Sequence, residues 1–275
     1  MIGAATRVAA VIGHPIHHSL SPVLHNAGFA SLGVDWVYTA FDVAPGQGAA
    51  AVAAMRTLGL GGLSVTMPHK QEIARAVDVL DPAARALDSV NTVSWRDDGA
   101  LVGHSTDGAG FVASLAATGH GVTGTTVCVL GAGGAGRSII DALARAGAAA
   151  ITVVNRTEAA AHAAAQLGGS IASVGAVAAV TDADIVVNTT SVGMGDGRLP
   201  CDPGLLRAGQ VVVDIVYRPR FTPWLRAAQA VGAATVDGLG MLIHQAALQE
   251  QIWLGRLPDL AAMTAAAHAS LPPDP

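Results

Sequence analysis

Short apolar runs alternate with helical patterns along most of the chain. Valine, isoleucine and leucine dominate the runs, and the stretches after most of them repeat apolar residues at the spacing of an amphipathic helix. This alternation predicts an α/β fold with parallel sheets, in which helices cover the strands. The predicted strands lie at residues 7–13, 35–43, 60–68, 89–95, 127–130, 151–155, 184–194 and 211–217, with a hairpin turn at 97–99.

The length of 275 residues suggests about two domains. The predicted boundary lies near Asp107, so that residues 1–106 form one α/β domain and residues 107–238 the other. Helices are predicted from about residue 241 to 254 and beyond Pro258, in the segment 239–275. We expect this segment to pack back on the first domain, with a substrate in the cleft between the domains.

A glycine-rich turn separates the strand at 127–130 from a helical pattern that begins near residue 137. Gly131, Gly133 and Gly136 follow the G-x-G-x-x-G spacing of dinucleotide-binding proteins. In that interpretation Gly131 allows the tight turn, Gly133 lets the backbone approach a pyrophosphate, and Gly136 lets the helix pack against the strand. The helix N-terminus offers free N–H groups to the phosphates.

The next strand ends in Asn155, Arg156 and Thr157. NAD-binding proteins usually carry an acidic residue there for the ribose 2′-hydroxyl, whereas a guanidinium matches a 2′-phosphate. Arg156 therefore favours NADP over NAD. Glu158, close by, keeps NAD open as an alternative.

Composition argues against several classes of protein. The net charge of −5 and the isoelectric point near 6.0 do not favour nucleic-acid binding. Cys128 and Cys201 cannot build a disulfide framework and indicate a reducing compartment. No adequate apolar leader is present, and the longest uncharged stretch, 108–136, is interrupted by glycine and threonine. We expect a soluble, cytoplasmic protein despite the mean hydropathy of +0.47.

The loop after the first strand leads into a helical pattern at Ser21 and Pro22. These residue types predict Ser21 as the N-cap and Pro22 as the first helical residue. That interpretation gives Ser21 a structural role and leaves Ser19 without one.

Polar side chains that could serve chemistry lie at the ends of the predicted strands, up to the predicted domain boundary near Asp107. Lys70 is the only lysine of the chain, since all the other basic side chains are arginine. Lysine can donate and accept a proton once desolvation lowers its pKa, which arginine cannot. The full set is Ser19, Ser21, Thr66, Lys70, Asn91, Ser105 and Asp107.

Taken together, these motifs resemble shikimate dehydrogenases. The matching strings, in the family's order, are GHPIHHSLSPVLHN at 13–26, SVTMPHK at 64–70, NTV at 91–93, STDG at 105–108, GAGGAGR at 131–137, NRT at 155–157, NTTSVGM at 188–194, DIVYRPRFTP at 214–223 and DGLGMLIHQA at 237–246. The resemblance implies a Rossmann-like NADP domain and a substrate domain formed by both termini. It implies reversible NADPH-dependent reduction of 3-dehydroshikimate to shikimate, a step of aromatic amino-acid biosynthesis.

The resemblance also implies roles for individual residues. Lys70 and Asp107 correspond to the catalytic pair. Ser19, Ser21, Thr66, Asn91 and Gln245 correspond to contacts with the substrate carboxylate or ring hydroxyls. The cofactor set is Gly131, Gly133, Gly134, Ala135, Gly136, Asn155, Arg156, Thr157, Tyr217, Gly238 and Met241.

Three positions depart from the family's pattern. Ser64 and Ser105 stand where the family commonly has asparagine, which suggests a missing or water-bridged contact to a ring hydroxyl. The helix after NRT lacks the second arginine of many members, so that Arg156 would hold the 2′-phosphate with little help.

Histidines are frequent in the first half, at 14, 17, 18, 25, 69 and 104. No cysteine or carboxylate in the motif completes a ligand set, so we predict no metal site. His69, beside Lys70, could influence its charge.

Three alternatives remain: a quinate/shikimate dehydrogenase that uses NAD, a non-catalytic NADP sensor on the same scaffold, and a redox domain of a larger complex. The expected partner is a small molecule, not nucleic acid or a membrane. The oligomeric state stays open, with a homodimer as one outcome.

Overall fold

The computed structural model describes residues 2–271, so the last four residues of the predicted C-terminal segment lie outside the described residues. Within that range the chain forms two compact units. One unit comprises residues 2–106 and 245–271, and the other comprises residues 107–244. Each unit contains a six-stranded sheet with helices, which confirms the predicted α/β class.

The unit that contains both ends of the described chain is built on a sheet with the strand order β2-β1-β3-β5-β6-β4. Its strands are β1 (Arg7–Gly13), β2 (Trp36–Asp42), β3 (Gly62–Val65), β4 (Val79–Leu80), β5 (Thr92–Trp95) and β6 (Leu101–His104). Its helices are α1 (Ser21–Leu32), α2 (Gly48–Leu58), α3 (Lys70–Ala76), α4 (Pro82–Leu87) and α10 (Leu260–Ser270), together with the part of α9 (Gly238–Leu254) from residue 245 onward. We call this unit the terminal unit.

Strand β1 lies inside the sheet and is buried on both faces. Ala10 and Ile12 pack in one apolar cluster, whereas Ala9 and Val11 pack in another. Successive side chains of a strand point to opposite faces, so one short apolar run supplies two layers of core.

The sheet of the terminal unit is mixed. Strands β1, β2 and β3 pair in parallel, but β5 runs antiparallel to both β3 and β6. The predicted hairpin accounts for the β5–β6 pair, since the turn after β5 places Gly99 at a φ of 86°. The parallel arrangement predicted from the strand–helix alternation therefore covers only part of this sheet.

The second unit, which we call the central unit, has a sheet in which every pair is parallel, with the order β12-β11-β10-β7-β8-β9. Its strands are β7 (Thr126–Leu130), β8 (Ala150–Val154), β9 (Ala172–Val174), β10 (Ile185–Asn188), β11 (Val211–Asp214) and β12 (Ala234–Val236). Its helices are α5 (Asp107–Ala117), α6 (Gly134–Arg145), α7 (Glu158–Ala165), α8 (Pro223–Ala230) and the first residues of α9.

Strand β7 divides the core of the central unit into two layers. Val127 and Val129 pack in the cluster that contains Ile139 of α6, and Cys128 packs in the cluster that contains Trp224 of α8. Burial raises the pKa of the Cys128 thiol to about 12, as expected for a structural cysteine.

The shortest strands, β4, β9 and β12, are two or three residues long and were not predicted from the sequence pattern. A run of that length is too short to show alternation. No helix among residues 2–271 has the length and apolar character that crossing a membrane requires.

Candidate active site

The glycine turn of the central unit joins β7 to α6. Gly131 has a φ of 114°, and a Cβ on it would lie 2.6 Å from Thr189 Oγ1. A Cβ on Gly136 would lie 2.5 Å from the Gly131 carbonyl oxygen. Both positions therefore require glycine for the backbone path and for close packing of the helix. Around Gly133 and Gly134, by contrast, a Cβ would meet nothing within 4 Å, so their backbone faces open space.

The end of β8 lies against this turn. Asn155 Oδ1 accepts a hydrogen bond from the Ala132 N–H at 3.2 Å, and its Nδ2 donates to the Thr157 carbonyl oxygen at 2.9 Å. Arg156 is exposed, and within residues 2–271 its guanidinium is not part of an ion pair. Glu158 begins α7 and is 3.6 Å from His162, so its carboxylate interacts within its own helix.

Three further predicted cofactor residues lie near the start of α9. Tyr217 is half-buried, and burial raises the pKa of its hydroxyl. Gly238 begins α9, and a Cβ there would overlap the Ile215 carbonyl oxygen, so packing alone already requires glycine. Met241 is half-buried against the apolar cluster of α5 and α6.

A buried hydrogen-bond network lies at the ends of β10 and β11 and was not predicted from the sequence. Asp214 accepts hydrogen bonds from Asn188 Nδ2 at 3.0 Å, from Thr222 Oγ1 at 2.8 Å and from the Val216 N–H at 3.1 Å. Burial raises the pKa of this carboxyl. The network fixes the loops that follow both strands, and the strings NTTSVGM and DIVYRPRFTP contain its members.

The loop after β11 is tied to the start of α9 by an ion pair. Arg220 donates to Asp237 Oδ2 through Nε at 3.0 Å and Nη2 at 2.8 Å, and Asp237 Oδ1 accepts from the Leu239 N–H at 3.0 Å. This pairing holds the first turn of α9, on which Gly238 and Met241 lie.

In the terminal unit, the structure corrects the predicted start of α1. Leu20, not Ser21, is the N-cap, and Ser21 is the first helical residue. Ser19 Oγ accepts a hydrogen bond from the Ser21 N–H at 3.2 Å. The prediction of Ser21 as the cap was wrong because the helix begins one residue earlier than predicted, and Ser19 Oγ accepts from the N–H of its first residue. Both serines are half-buried.

Thr66 and Lys70 follow β3. Thr66 is half-buried, and its N–H donates to the Ile12 carbonyl oxygen at 2.9 Å. Lys70 begins α3 and is half-buried, and its carbonyl oxygen accepts from the Val90 N–H at 3.0 Å. The ring of His69 is buried, and its Nε2 lies 2.8 Å from the Val43 carbonyl oxygen. This contact fixes the orientation of the ring.

Asn91 is almost fully buried and directly precedes β5. Its Oδ1 accepts from the Thr106 N–H at 2.9 Å and from Thr92 Oγ1 at 2.8 Å, and its Nδ2 donates to Thr106 Oγ1 at 2.9 Å. These bonds fix the orientation of the amide.

Gln245 lies on α9, and its Oε1 accepts from Gln249 Nε2 at 3.0 Å. Gln249 Oε1 accepts from Ser64 Oγ at 2.6 Å, and Ser64 Oγ accepts from the Tyr38 hydroxyl at 2.6 Å. Gln249 Nε2 also lies 3.4 Å from the Asn91 carbonyl oxygen, so one side chain connects two predicted substrate residues. Ser64 is thus engaged within the protein. The i, i+4 spacing of the two glutamines was the sequence signal for this network.

The remaining polar positions lie along the chain where β6 leads into α5. Asp107 is half-buried at the start of α5 in the central unit, and Ser105 is half-buried just before it. His104 lies 3.1 Å from Asp81 Oδ2 and 2.9 Å from Ser94 Oγ. Among residues 2–271, no group of three histidine, cysteine or acidic side chains is arranged to hold a metal ion.

Family models match three parts of the chain. The shikimate dehydrogenase substrate binding domain matches residues 11–93, the shikimate / quinate 5-dehydrogenase family matches residues 114–194, and the shikimate 5′-dehydrogenase C-terminal domain matches residues 238–268.

Individual proteins match over nearly their whole length. A shikimate dehydrogenase (NADP(+)) from Moorella thermoacetica is 41% identical over 277 residues, which cover 95% of this chain and 92% of that protein. The structure of shikimate 5-dehydrogenase from Thermus thermophilus in complex with NADP(H) and shikimate is 36% identical, with a TM-score of 0.90 over 96% of this chain and 100% of that one. A ligand-free 5-ketofructose reductase of Gluconobacter sp. is 35% identical, with a TM-score of 0.91 over 97% of this chain and 99% of that one.

Proposed function

We propose a reaction for this chain from the premise that it belongs to the shikimate dehydrogenase family. It catalyses the reversible NADPH-dependent reduction of 3-dehydroshikimate to shikimate. The supporting observation is that one chain combines an open glycine turn, an exposed arginine after the next strand, and a single lysine among hydroxyl and amide side chains.

The central unit is proposed to bind NADP. The space around Gly133 and Gly134 suits a pyrophosphate, because a phosphate needs close access to backbone N–H groups. The exposed Arg156 supplies the charge and the planar donors that a 2′-phosphate accepts. The proposed contact set is Gly131, Gly133, Gly134, Ala135, Gly136, Asn155, Arg156, Thr157, Tyr217, Gly238 and Met241.

The terminal unit is proposed to bind the substrate. The hydroxyls of Ser19 and Ser21 would donate to the carboxylate, which is an acceptor only. Thr66, Asn91 and Gln245 would contact the carboxylate or the ring hydroxyls. Asn91 and Gln245 suit this role because other side chains already fix their amide orientations.

Lys70 and Asp107 are proposed as the catalytic pair. When bound, NADPH supplies a hydride to the carbonyl carbon, and the electrons of the carbon–oxygen double bond move to oxygen. Lys70 donates a proton to that oxygen, and it takes the proton back in the oxidation direction. Asp107 hydrogen-bonds the same substrate or shares the proton with Lys70.

The deciding experiment is oxidation of shikimate and quinate with NADP+ and NAD+ in parallel, with reduction of 5-ketofructose as a further arm because of the structural likeness to that reductase. We expect shikimate with NADP+ to be the preferred pair. Better turnover of quinate with NAD+ would establish the NAD-dependent alternative. Binding of NADPH without turnover of any substrate would establish the sensor.

A further inference from the structure

A buried acid–base pair lies in the terminal unit. Glu250 on α9 and His25 on α1 are both 0% exposed, and Glu250 Oε1 is 2.9 Å from His25 Nδ1. Gly28 makes room for the carboxyl group, since a Cβ at that position would overlap the Glu250 oxygens. The reaction proposed above uses neither residue, so the pair requires its own explanation.

The pair contacts the amide network through Gln249. His25 Nε2 lies 3.1 Å from Gln249 Oε1. The Asn91 carbonyl oxygen fixes the orientation of the Gln249 amide. It lies 3.4 Å from the amide nitrogen Nε2 and can only accept, so the amide must turn Nε2 and not Oε1 towards it. Gln249 Oε1 therefore faces His25, and His25 Nε2 must carry a hydrogen.

This assignment places one proton between the two members of the pair. With Nε2 protonated, a neutral His25 has Nδ1 as an acceptor, and the facing oxygen of Glu250 must donate. Burial acts in the same direction, because it raises the pKa of Glu250 to about 8 and lowers the pKa of His25. Glu250 Oε2 has no hydrogen-bond partner among the described residues, so a negative charge there would be poorly compensated.

We propose that Glu250 and His25 are positioning residues for the substrate: by holding His25 Nε2 as a donor, they fix the Gln249 amide, which in turn directs the Nε2 end of Gln245 to the substrate. The inference rests on the proposed function, in which Gln245 contacts the substrate. The chain of bonds is continuous, because Gln249 Nε2 donates to Gln245 Oε1 at 3.0 Å and thereby fixes the opposite end of that amide as a donor.

Loss of the proton shared by Glu250 and His25 would turn His25 Nε2 from a donor into an acceptor. An ionised Glu250 needs a donor at His25 Nδ1, and a neutral imidazole then has Nε2 as an acceptor. Two acceptors, Nε2 and Gln249 Oε1, would face each other. Rotation of the Gln249 amide would place its oxygen against both the Asn91 carbonyl oxygen and Gln245 Oε1, so each orientation of the amide leaves two acceptors facing each other, and the orientation of Gln245 towards the substrate is no longer fixed.

The remaining neighbours, Tyr38 and Ser64, do not hold the Gln249 amide in either orientation. Tyr38 on β2 stacks on the His25 ring with centroids 4.1 Å apart, and burial raises the pKa of its hydroxyl, so it stays neutral over the relevant pH range. The hydroxyls of Tyr38 and Ser64 can each donate or accept and can follow the amide. His25 and Tyr38 are the titratable groups that face Glu250 from α1 and β2.

The first test is ring ¹⁵N NMR of histidine-labelled full-length protein between pH 6.5 and 10. We expect His25 Nε2 to be protonated at the lower end and to lose its proton as pH rises through about 8. In Glu250→Gln, an amide N–H donates to Nδ1 at every pH, so Nε2 should stay protonated throughout. A native Nε2 that never loses its proton, or that loses it equally in the variant, would overturn the proposal. This measurement needs no substrate, so it remains informative if shikimate turns out not to be oxidised.

The second test is the pH dependence of shikimate oxidation. Between pH 7 and 9.5 the KM for shikimate should rise roughly three- to tenfold in the native enzyme, as expected for the loss of one hydrogen bond. The KM for NADP+ should not follow this rise. Glu250→Gln should keep the native KM at pH 7 without the rise, and Glu250→Leu, which also lacks the ionisable group, should show no rise either. A rise that persists in both variants shows that another group titrates and contradicts the proposal.

Discussion

The two units present their proposed ligand-binding groups by different means. In the central unit the turn from β7 to α6 exposes backbone, and glycines at 131 and 136 are required because any side chain would collide with Thr189 or with the turn itself. In the terminal unit the proposed substrate contacts are side chains whose orientations depend on one another, from Tyr38 through Ser64 and Gln249 to Gln245. A backbone site fails when atoms are added, whereas a side-chain network fails when a donor or acceptor is lost or reversed.

Removing the only lysine should have the largest effect and tests whether the terminal unit supplies the proton. Lys70→Ala should lower kcat by about 10²–10⁴-fold, the usual contribution of general acid–base catalysis. NADPH binding, followed by fluorescence, should be unchanged because Lys70 lies in the terminal unit.

Asp107→Asn should also lower kcat, and the double variant should lose less than the product of the two single effects if both residues act on one proton. A Lys70→Ala enzyme with near-native kcat and a raised KM for shikimate would instead make Lys70 a substrate clamp.

Arg156 is the exception in the central unit, where a side chain rather than the backbone is proposed to recognise the ligand. Arg156→Ala should weaken NADP+ binding by about 1.5–3 kcal/mol and leave NAD+ nearly unaffected, because only NADP+ carries the 2′-phosphate. Arg226→Ala, at another exposed arginine of the same unit, is the control. An unchanged ratio of NADP+ to NAD+ affinity would remove Arg156 from the cofactor site.

Adding a methyl group to the glycine turn should separate folding from binding. Gly136→Ala should lower the free energy of unfolding by about 1–3 kcal/mol, because the new Cβ would lie 2.5 Å from the Gly131 carbonyl oxygen. Gly134→Ala is the matched control, since its Cβ would meet nothing within 4 Å. Thermal denaturation should leave the Gly134 variant unaffected, while its KM for NADP+ rises. An equal loss of stability in both variants would contradict the packing argument.

The smallest expected effects concern the start of α1. Ser19→Ala and Ser21→Ala should each raise the KM for shikimate roughly three- to tenfold with kcat nearly unchanged, as expected for the loss of one hydrogen bond in uniform binding. Only Ser19→Ala should also reduce stability, by about 1 kcal/mol, because Ser19 Oγ accepts the Ser21 N–H. A lower kcat at constant KM would show that the serines act on the reaction itself.

The sequence determined those features that depend on neighbours along the chain. The strand, glycine turn and helix around residues 126–143 could be read directly, because the turn requires glycine at fixed spacing and the flanking periodicities are local. Arg156 and Lys70 could be singled out for the same reason, one by its place after a strand and the other by being the only lysine. The role of Ser21 could not be decided locally, since the residue types fit a helix start at either Ser21 or Pro22, and the structure begins the helix at Ser21, whose N–H donates to Ser19 Oγ.

Only the tertiary structure decided what the polar side chains of the terminal unit do. His25 and Glu250 are 225 residues apart in sequence, yet their side chains lie within hydrogen-bond distance, and Ser64 donates to Gln249 across 185 residues. No periodicity encodes such a pairing, because it arises when α1, β3 and α9 pack together and water is excluded from their polar groups. Once buried, every donor and acceptor requires a partner. That requirement decides which atom of each hydrogen bond donates and which accepts, a choice that the residue types alone leave open.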